Sequence, residues 1–134
     1  MNSTVVLDAS ALLAYLRDEV GWDATAKAMV EGAAISAANY AEVLSKAAEE
    51  GEDPDRLAER LESEGVIGGG VEVFPVTEAD ARVIARLRPL TRLAGLSLGD
   101  RACIALGLRL GCAVLTTDRR WADLDLGLEV RLAR

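Results

Sequence analysis

The sequence predicts an α/β fold in which a parallel sheet is covered by helices on both faces. Short apolar runs alternate along the chain with longer segments whose apolar residues recur at helical spacing. This alternation is typical of consecutive βαβ units. The length of 134 residues fits a single domain, residues 1–134, and no linker, repeat or low-complexity tract divides it.

Five segments are predicted to be strands because they are short, apolar and bounded by turn residues or by the start of a helical pattern. They are residues 4–8, 33–36, 71–76, 112–118 and 128–133. Pro75 lies in the third of them, and proline cannot donate a backbone hydrogen bond to a neighbouring strand. We therefore expect that strand to lie at an edge of the sheet or to end at Pro75.

The remaining segments show the periodicity of helices, with glycine or proline at several of their ends. They are residues 9–20, a segment from Gly21 through Met29, and residues 39–50, 54–67, 77–88 and 98–110. Pro54 is predicted to open the fourth helix, Pro89 to stop the fifth, and Gly111 to close the sixth. The apolar faces of 54–67 and 77–88 either form a dimer surface or simply pack on the sheet.

The composition is that of a globular protein, with 51% hydrophobic and 28% charged residues. No apolar run approaches the roughly 18 residues that a membrane-spanning helix needs. The first residues lack the basic start and apolar stretch of a signal peptide. We therefore expect a cytoplasmic protein without a membrane partner.

The chain contains no histidine and only two cysteines, Cys103 and Cys112. The absence of histidine excludes Ser-His-Asp and Cys-His catalysis built from this chain, and the usual zinc ligand sets. In a cytosolic chain the two cysteines are expected to be small buried hydrophobes without a disulfide. A metal site would therefore consist of oxygen ligands, which favour Mg²⁺ or Mn²⁺.

Four carboxylates are predicted to meet at one edge of the sheet. Asp8 ends the first strand and Asp118 the fourth, while Glu42 and Asp100 lie in the first turns of the helices after the second strand and before the fourth. Ligands of open parallel sheets bind at the carboxyl ends of the strands. Clustered carboxylates repel one another unless a cation is bound, and a divalent ion there can promote hydrolysis of a phosphodiester.

Each of these acids also has a purely structural interpretation as a helix cap. Asp8 or Ser10 can cap the first helix, Asp118 can cap a turn at Arg119, and two segments resemble capping boxes, Ser97–Asp100 and, more loosely, Asn39–Glu42. Thr77–Asp80 has the same pattern without other chemical groups nearby, and we interpret it as structural only. Asp100 differs from Asp80 because it shares a helical face with Cys103, Ile104 and Gly107, and a buried carboxylate requires compensation.

The net charge of −7 argues against a nucleic-acid binder, whose footprint is usually basic. However, 13 of the 15 basic residues are arginine, which forms paired hydrogen bonds with phosphate. Four arginines lie near the acids in sequence and are either phosphate contacts or ordinary surface residues: Arg17, Arg101, Arg119 and Arg120. Trp121 either stacks on a base or packs over the last strands.

The segments VVLDASALLAYL, ISAANYAEVLSK, GLSLGDRACIALG and AVLTTDRRW, in this order and spacing, resemble PIN-domain nucleases and specifically the VapC-type toxins of toxin–antitoxin pairs. The resemblance covers nearly the whole chain. It implies a three-layer α/β/α sandwich with a five-stranded parallel sheet, and Mg²⁺- or Mn²⁺-dependent endoribonuclease activity on an RNA substrate. It also implies a homodimer and a cognate antitoxin protein whose C-terminal segment crosses the active-site groove.

The acidic positions of that family fall on Asp8, Glu42, Asp100 and Asp118, and its small hydroxyl residue falls on Ser10. In this interpretation Asp8, Asp100 and Glu42 hold the principal metal ion. Asp118 assists with a second ion or with water, and Ser10 orients Asp8.

Two other functions compete with the endoribonuclease. One is Mg²⁺-dependent phosphotransfer with Asp8 as the phosphate acceptor, although such sites usually need a lysine near a late strand end, and Lys27 and Lys46 are the only lysines. The other is a non-catalytic binding module with the same fold. The complete set of four acids argues against this second alternative.

Overall fold

The computed structural model describes residues 3–134, and its five short strands form one parallel sheet in the order β3-β2-β1-β4-β5. The strands are β1 (Val5–Leu7), β2 (Ala33–Ser36), β3 (Val71–Phe74), β4 (Ala113–Thr116) and β5 (Val130–Leu132). Each lies within a segment predicted to be a strand. β3 is an edge strand that ends just before Pro75, as the proline indicates.

Helices cover both faces of the sheet. They are α1 (Ala9–Leu16), α2 (Trp22–Glu31), α3 (Ala37–Glu49), α4 (Pro54–Ser63), α5 (Glu78–Thr91) and α6 (Leu98–Leu110), and a 3₁₀ turn follows β4 at Arg119–Trp121. The prediction of a three-layer α/β/α sandwich with a five-stranded parallel sheet is confirmed.

Side chains that alternate along the strands build two separate cores. Val5 and Leu7 of β1 pack with α1, α3 and α4, whereas Val6 between them packs with α6 on the other face. Because β1 is buried on both faces, every residue of it is apolar. The central strand is thereby fixed in register, and the residue that follows it, Asp8, is held at a defined point of the sheet edge.

The structure differs from the predictions at several helix ends. α1 ends at Leu16 instead of residue 20, and α4 ends at Ser63 instead of residue 67. α5 continues through Pro89 to Thr91, because proline has a helix-compatible φ and removes only one backbone hydrogen bond. Leu87 and Thr91 anchor this last turn as buried residues, and the Thr91 hydroxyl donates to the Leu87 carbonyl oxygen at 2.8 Å. α3 begins at Ala37 and is capped by Ser36, so the looser capping box at Asn39–Glu42 was wrong.

Both cysteines are free, but only Cys103 is fully buried. The Cys112 thiol is half-buried and donates to the Ser3 carbonyl oxygen at 3.1 Å.

None of the helices within residues 3–134 has the length and apolar character needed to cross a membrane.

Candidate functional site

The carboxyl ends of β1, β2 and β4 lie side by side, and each leads into an element that carries a predicted site residue. Asp8 follows β1 directly and caps α1, Glu42 lies in the second turn of α3 after β2, and Asp118 follows β4 by two residues. Asp100 lies at the third position of α6, which packs across β1 and β2. The topology therefore brings all four acids to one edge of the sheet.

Asp8 is the most buried of the four acids, with 3% of its surface exposed. One carboxylate oxygen, Oδ1, accepts hydrogen bonds from the Ser10 hydroxyl at 2.7 Å and from the Ala11 backbone N–H at 2.9 Å. The other, Oδ2, accepts one from the Thr116 hydroxyl at 2.5 Å. Asp8 is therefore a helix cap, as its structural interpretation predicted, but the cap alone does not account for the hydroxyls directed at both of its oxygens.

Asp8 is buried without an ion pair to any lysine or arginine in the described part of the chain. Burial raises the pKa of Asp8 from 3.8 to about 6, and the hydrogen bonds from Thr116 and Ser10 offset only part of this rise. Across residues 3–134, no lysine or arginine nitrogen lies within 4.0 Å of Asp8, Glu42 or Asp100. The site therefore has unpaired negative charge.

Asp80 provides an internal comparison within the same molecule. It is 5% exposed and forms a capping box with Thr77, just as Asp100 does with Ser97. However, Arg109 donates to both Asp80 oxygens at 3.1 Å, so that buried charge is paired. This chain therefore compensates a structural buried carboxylate with an arginine, and leaves Asp8 without one.

Glu42 is held against the first turn of α6 by Asn39. Asn39 is fully buried, and its side-chain amide donates to Glu42 Oε1 and to the Gly99 carbonyl oxygen, both at 2.9 Å. A Cβ atom at Gly99 would lie 2.2 Å from Glu42 Oε1, so only glycine leaves room for the carboxylate. Burial, followed by the charge of Asp100, raises the pKa of Glu42, although the bond from Asn39 lowers it.

The charge of Asp100 acts on both Asp8 and Glu42, since it contributes to the raised pKa of each. Cys103, one turn further along α6, is fully buried. Its pKa is raised first by burial and then by the charges of Asp8, Asp100 and Glu42. These shared interactions identify the three carboxylates as one cluster, which we call the acidic cluster (Asp8, Glu42 and Asp100).

Asp118 is at the same edge, but it is engaged differently. Its carboxylate pairs with the Arg120 guanidinium, whose Nη2 lies 2.5 Å from Oδ2, and it caps the 3₁₀ turn by accepting the Arg120 backbone N–H at 3.0 Å. Hydrogen bonding from Arg120 lowers the pKa of Asp118. The predicted turn cap is confirmed, and the charge of Asp118 is already paired.

Three further residues support the site. The Thr116 and Thr117 hydroxyls before Asp118 are predicted to orient carboxylates or waters, and Thr116 does donate to Asp8. The sequence suggested only a capping role for Asn39, and it did not identify Gly99. The motif gave a signal for Gly99, because a glycine directly before a candidate ligand leaves space for a neighbouring side chain. Asn39 had no such signal, since its contact with Gly99 joins residues that are 60 positions apart.

Three of the four remaining candidates have structural roles, and Arg119 is the exception. Arg17 pairs with Glu50 on the surface, and Arg101 donates to the Ile84 carbonyl oxygen at 3.0 Å. Trp121 is fully buried in the core beside α6, so it packs over the last strands and does not present a face for stacking on a base. Arg119 remains exposed.

The donor chemistry of the acidic cluster fits a hydrated divalent cation. Its members supply only oxygen ligands, and its buried carboxylate lacks a positive partner. Within residues 3–134, no three Cys, Asp or Glu side chains are close enough to hold one ion jointly in the present arrangement. Mg²⁺ usually binds through about one or two carboxylates and keeps several waters, so the cluster suits such an ion rather than a closed cage.

Replacing Gly99 by alanine is expected to displace Glu42 without unfolding the protein. The added methyl group takes the space of the carboxylate, while alanine is favoured over glycine in a helix by up to about 1 kcal/mol. We expect the affinity for Mn²⁺ to fall about 10-fold, measured by isothermal titration calorimetry, with unchanged or higher stability to urea. Normal Mn²⁺ affinity in this variant would show that the position of Glu42 is unimportant.

Comparison with known proteins agrees with this architecture. The family model of the PIN domain matches residues 5–126. None of the curated proteins matches the sequence. Several solved structures share the fold, among them the three below, although at identities of 16–20% the likeness concerns the fold alone.

A toxin–antitoxin complex from Klebsiella pneumoniae is 16% identical, with a TM-score of 0.68 over 90% of this chain and 92% of that chain. FitAcB from Neisseria gonorrhoeae is 19% identical, with a TM-score of 0.62 over 97% and 98% of the two chains. PAE2754 from Pyrobaculum aerophilum is 20% identical, with a TM-score of 0.54 over 91% and 86%. Since the family model covers nearly the whole chain, this protein belongs to the PIN domain family.

Proposed function

We propose that this protein is a metal-dependent endoribonuclease that acts as the toxin of a toxin–antitoxin pair. The observation that carries the proposal is the buried Asp8 carboxylate. It accepts three hydrogen bonds, and no lysine or arginine nitrogen of residues 3–134 lies within 4.0 Å of it. A PIN-domain chain without histidine has no other evident acid–base machinery. Its carboxylates are the groups available for phosphodiester hydrolysis.

Each residue of the site has a specific task in this proposal. Asp8, Glu42 and Asp100 hold one Mg²⁺ or Mn²⁺ ion, directly or through its waters. A divalent cation there supplies positive charge against the phosphodiester and polarises water. Ser10 and Thr116 fix the orientation of the Asp8 carboxylate, and Asn39 fixes that of Glu42.

The competing phosphotransfer function has less support. Acceptor sites of this kind usually need a lysine near the end of a late strand. The two lysines lie on α2 and α3, away from the ends of β4 and β5. Incubation with acetyl phosphate followed by intact-mass analysis tests this alternative, and an adduct on Asp8 would favour it.

An antitoxin partner is part of the proposal, because one of the similar structures is a toxin–antitoxin complex. We expect the protein, when expressed alone, to arrest bacterial growth, and the product of a short adjacent reading frame to relieve that arrest. Growth that continues at a normal rate during confirmed expression of the folded protein would argue against a toxin.

A homodimer is proposed on a separate observation. An open groove between α5 and α6 is lined by apolar side chains that include Val76, Ile84 and Leu98. Leu98 is 65% exposed there, whereas Leu57 and Leu61 of α4 are buried in the core and unavailable. Light scattering should therefore give a dimer for the native chain and a monomer for Leu98→Glu.

The direct test of the nuclease uses matched oligonucleotides. The purified protein should cleave single-stranded RNA with Mg²⁺ or Mn²⁺, and it should leave the RNA intact in EDTA. A single-stranded DNA of the same sequence, included as a parallel substrate, tests whether RNA is the preferred polymer. Cleavage that persists in EDTA would overturn the metal requirement.

A further inference from the structure

Both oxygens of Asp118 are occupied by a single arginine. Arg120 Nε lies 3.0 Å from each carboxylate oxygen, and Nη2 lies 2.5 Å from Oδ2. Charge-assisted bonds of this paired kind are among the stronger hydrogen bonds in proteins. A divalent ion could bind Asp118 directly only by displacing the guanidinium.

The guanidinium is held from its other side as well. Arg120 Nη1 donates to the Ala94 carbonyl oxygen at 2.9 Å, in the loop between α5 and α6. Gly95 leaves room for this contact, because a Cβ atom there would lie 3.1 Å from Nη1. The loop leads directly to Ser97 and Asp100, so Arg120 bridges the end of β4 to the start of the helix that carries Asp100.

Arg120 is nevertheless partly exposed to solvent, and it interacts electrostatically with the acidic cluster through Asp100. Its side chain is 55% exposed. Asp118 chiefly raises the pKa of Arg120, and the charge of Asp100 makes a smaller contribution. A fixed, partly open arginine next to an acidic cluster is suited to contact a phosphate, since the guanidinium matches phosphate oxygens geometrically.

We propose that Arg120, fixed between Asp118 and Ala94, supplies the second positive charge of this site, so that the acidic cluster binds one divalent ion and Arg120 contacts a phosphate of the RNA. This inference rests on the proposed nuclease function. It gives Asp118 the task of positioning Arg120 in place of ligating a second ion. It also explains how a chain with a net charge of −7 contacts RNA at this edge.

The number of bound ions tests the first half of the proposal. Mn²⁺ is titrated by calorimetry into the native protein and the variants Asp118→Asn, Arg120→Gln and Arg119→Gln, and electron paramagnetic resonance distinguishes single from coupled ions. We expect one ion for the native protein, and the same ion with less than threefold weaker binding in Asp118→Asn. Arg120→Gln frees Asp118 and should gain a second, weaker ion, whereas Arg119→Gln should match the native protein.

Two ions in the native protein, or loss of the only ion in Asp118→Asn, would overturn the inference while leaving the nuclease intact. No Mn²⁺ binding by any of the proteins would instead defeat the proposed function itself. The two failures are therefore distinguishable without measuring cleavage.

The phosphate contact is tested by the salt dependence of RNA binding. Affinity for a single-stranded RNA is measured by fluorescence anisotropy in the Asp100→Asn background, so that the RNA stays intact. Loss of one phosphate contact should reduce the slope of log affinity against log salt by about 0.7. We expect this reduction for Arg120→Gln but not for Arg119→Gln, and equal slopes for the two variants would contradict the contact.

Discussion

Replacing Asp8 by asparagine is expected to abolish metal-dependent cleavage and, at the same time, to stabilise the metal-free protein at pH 8. Asparagine keeps an acceptor for Ser10 and Ala11, and the Thr116 hydroxyl can rotate to accept from the new amide. The substitution therefore removes the buried charge and retains the helix cap. Loss of activity with a gain of stability is the expected signature of a residue kept for function.

The pH dependence follows from the raised pKa of Asp8. Because that pKa is about 6 in the folded protein against an ordinary value of 3.8, the native state binds this proton more tightly than the unfolded chain does. The contribution of Asp8 to the free energy of unfolding therefore falls as the pH rises from 3.8 to about 6. The loss amounts to about 3 kcal/mol once the pH is above that range.

Urea unfolding in EDTA at pH 5 and pH 8 measures this effect. The Asp8→Asn variant should exceed the native protein in stability by up to about 3 kcal/mol at pH 8. At pH 5 the difference should be about half as large, because native Asp8 is mostly protonated there but the unfolded chain is already ionised. Adding Mn²⁺ at pH 8 should stabilise the native protein but not the variant. A variant that is less stable at both pH values would show that Asp8 serves the fold alone.

The second large effect is expected from the same Asp→Asn substitution in two capping boxes, Ser97–Asp100 and Thr77–Asp80. Asp100→Asn should reduce cleavage at least about 100-fold, because a cluster carboxylate is lost, and should cost only about 1 kcal/mol of stability as the cap is weakened. Asp80→Asn should cost about 2 kcal/mol, because Arg109 loses its ionic partner, and should leave the cleavage rate of the folded protein unchanged.

These two variants control for each other, since Ser97–Asp100 and Thr77–Asp80 are both complete capping boxes. Unfolding midpoints and initial cleavage rates are measured on both proteins under one set of conditions. Equal losses of activity in the two variants would mean that the capping role explains the effect. The assignment of Asp100 to the acidic cluster would then be wrong.

Local patterns predicted the sheet well because parallel strands buried on both faces are read directly from apolar runs. Val5–Leu7 and Ala33–Ser36 are such runs, and the acid after β1 marks the edge where the acidic cluster lies. The continuation of α5 past Pro89 was not predictable in this way. It depends on Leu87 and Thr91 being buried, which is a tertiary property.

The acids were identifiable from sequence, but their electrostatic partners were not. The capping pattern is the same at Asp80 and Asp100, and only the fold shows that Arg109 reaches Asp80 from 29 positions away. The Asp118–Arg120 pair is local, yet its bond to Ala94 spans 26 positions. Whether a carboxylate is paired with an arginine or left for an ion is therefore decided by long-range packing.

The most direct test of the account is cleavage of total cellular RNA by the purified protein in Mg²⁺, Mn²⁺ or EDTA, with Asp100→Asn and Asp80→Asn in parallel. We expect discrete fragments with either metal from the native protein and from Asp80→Asn, and none in EDTA or from Asp100→Asn. Absence of fragments under every condition, or fragments that persist with Asp100→Asn, would contradict the assignment of the acidic cluster as a nuclease site.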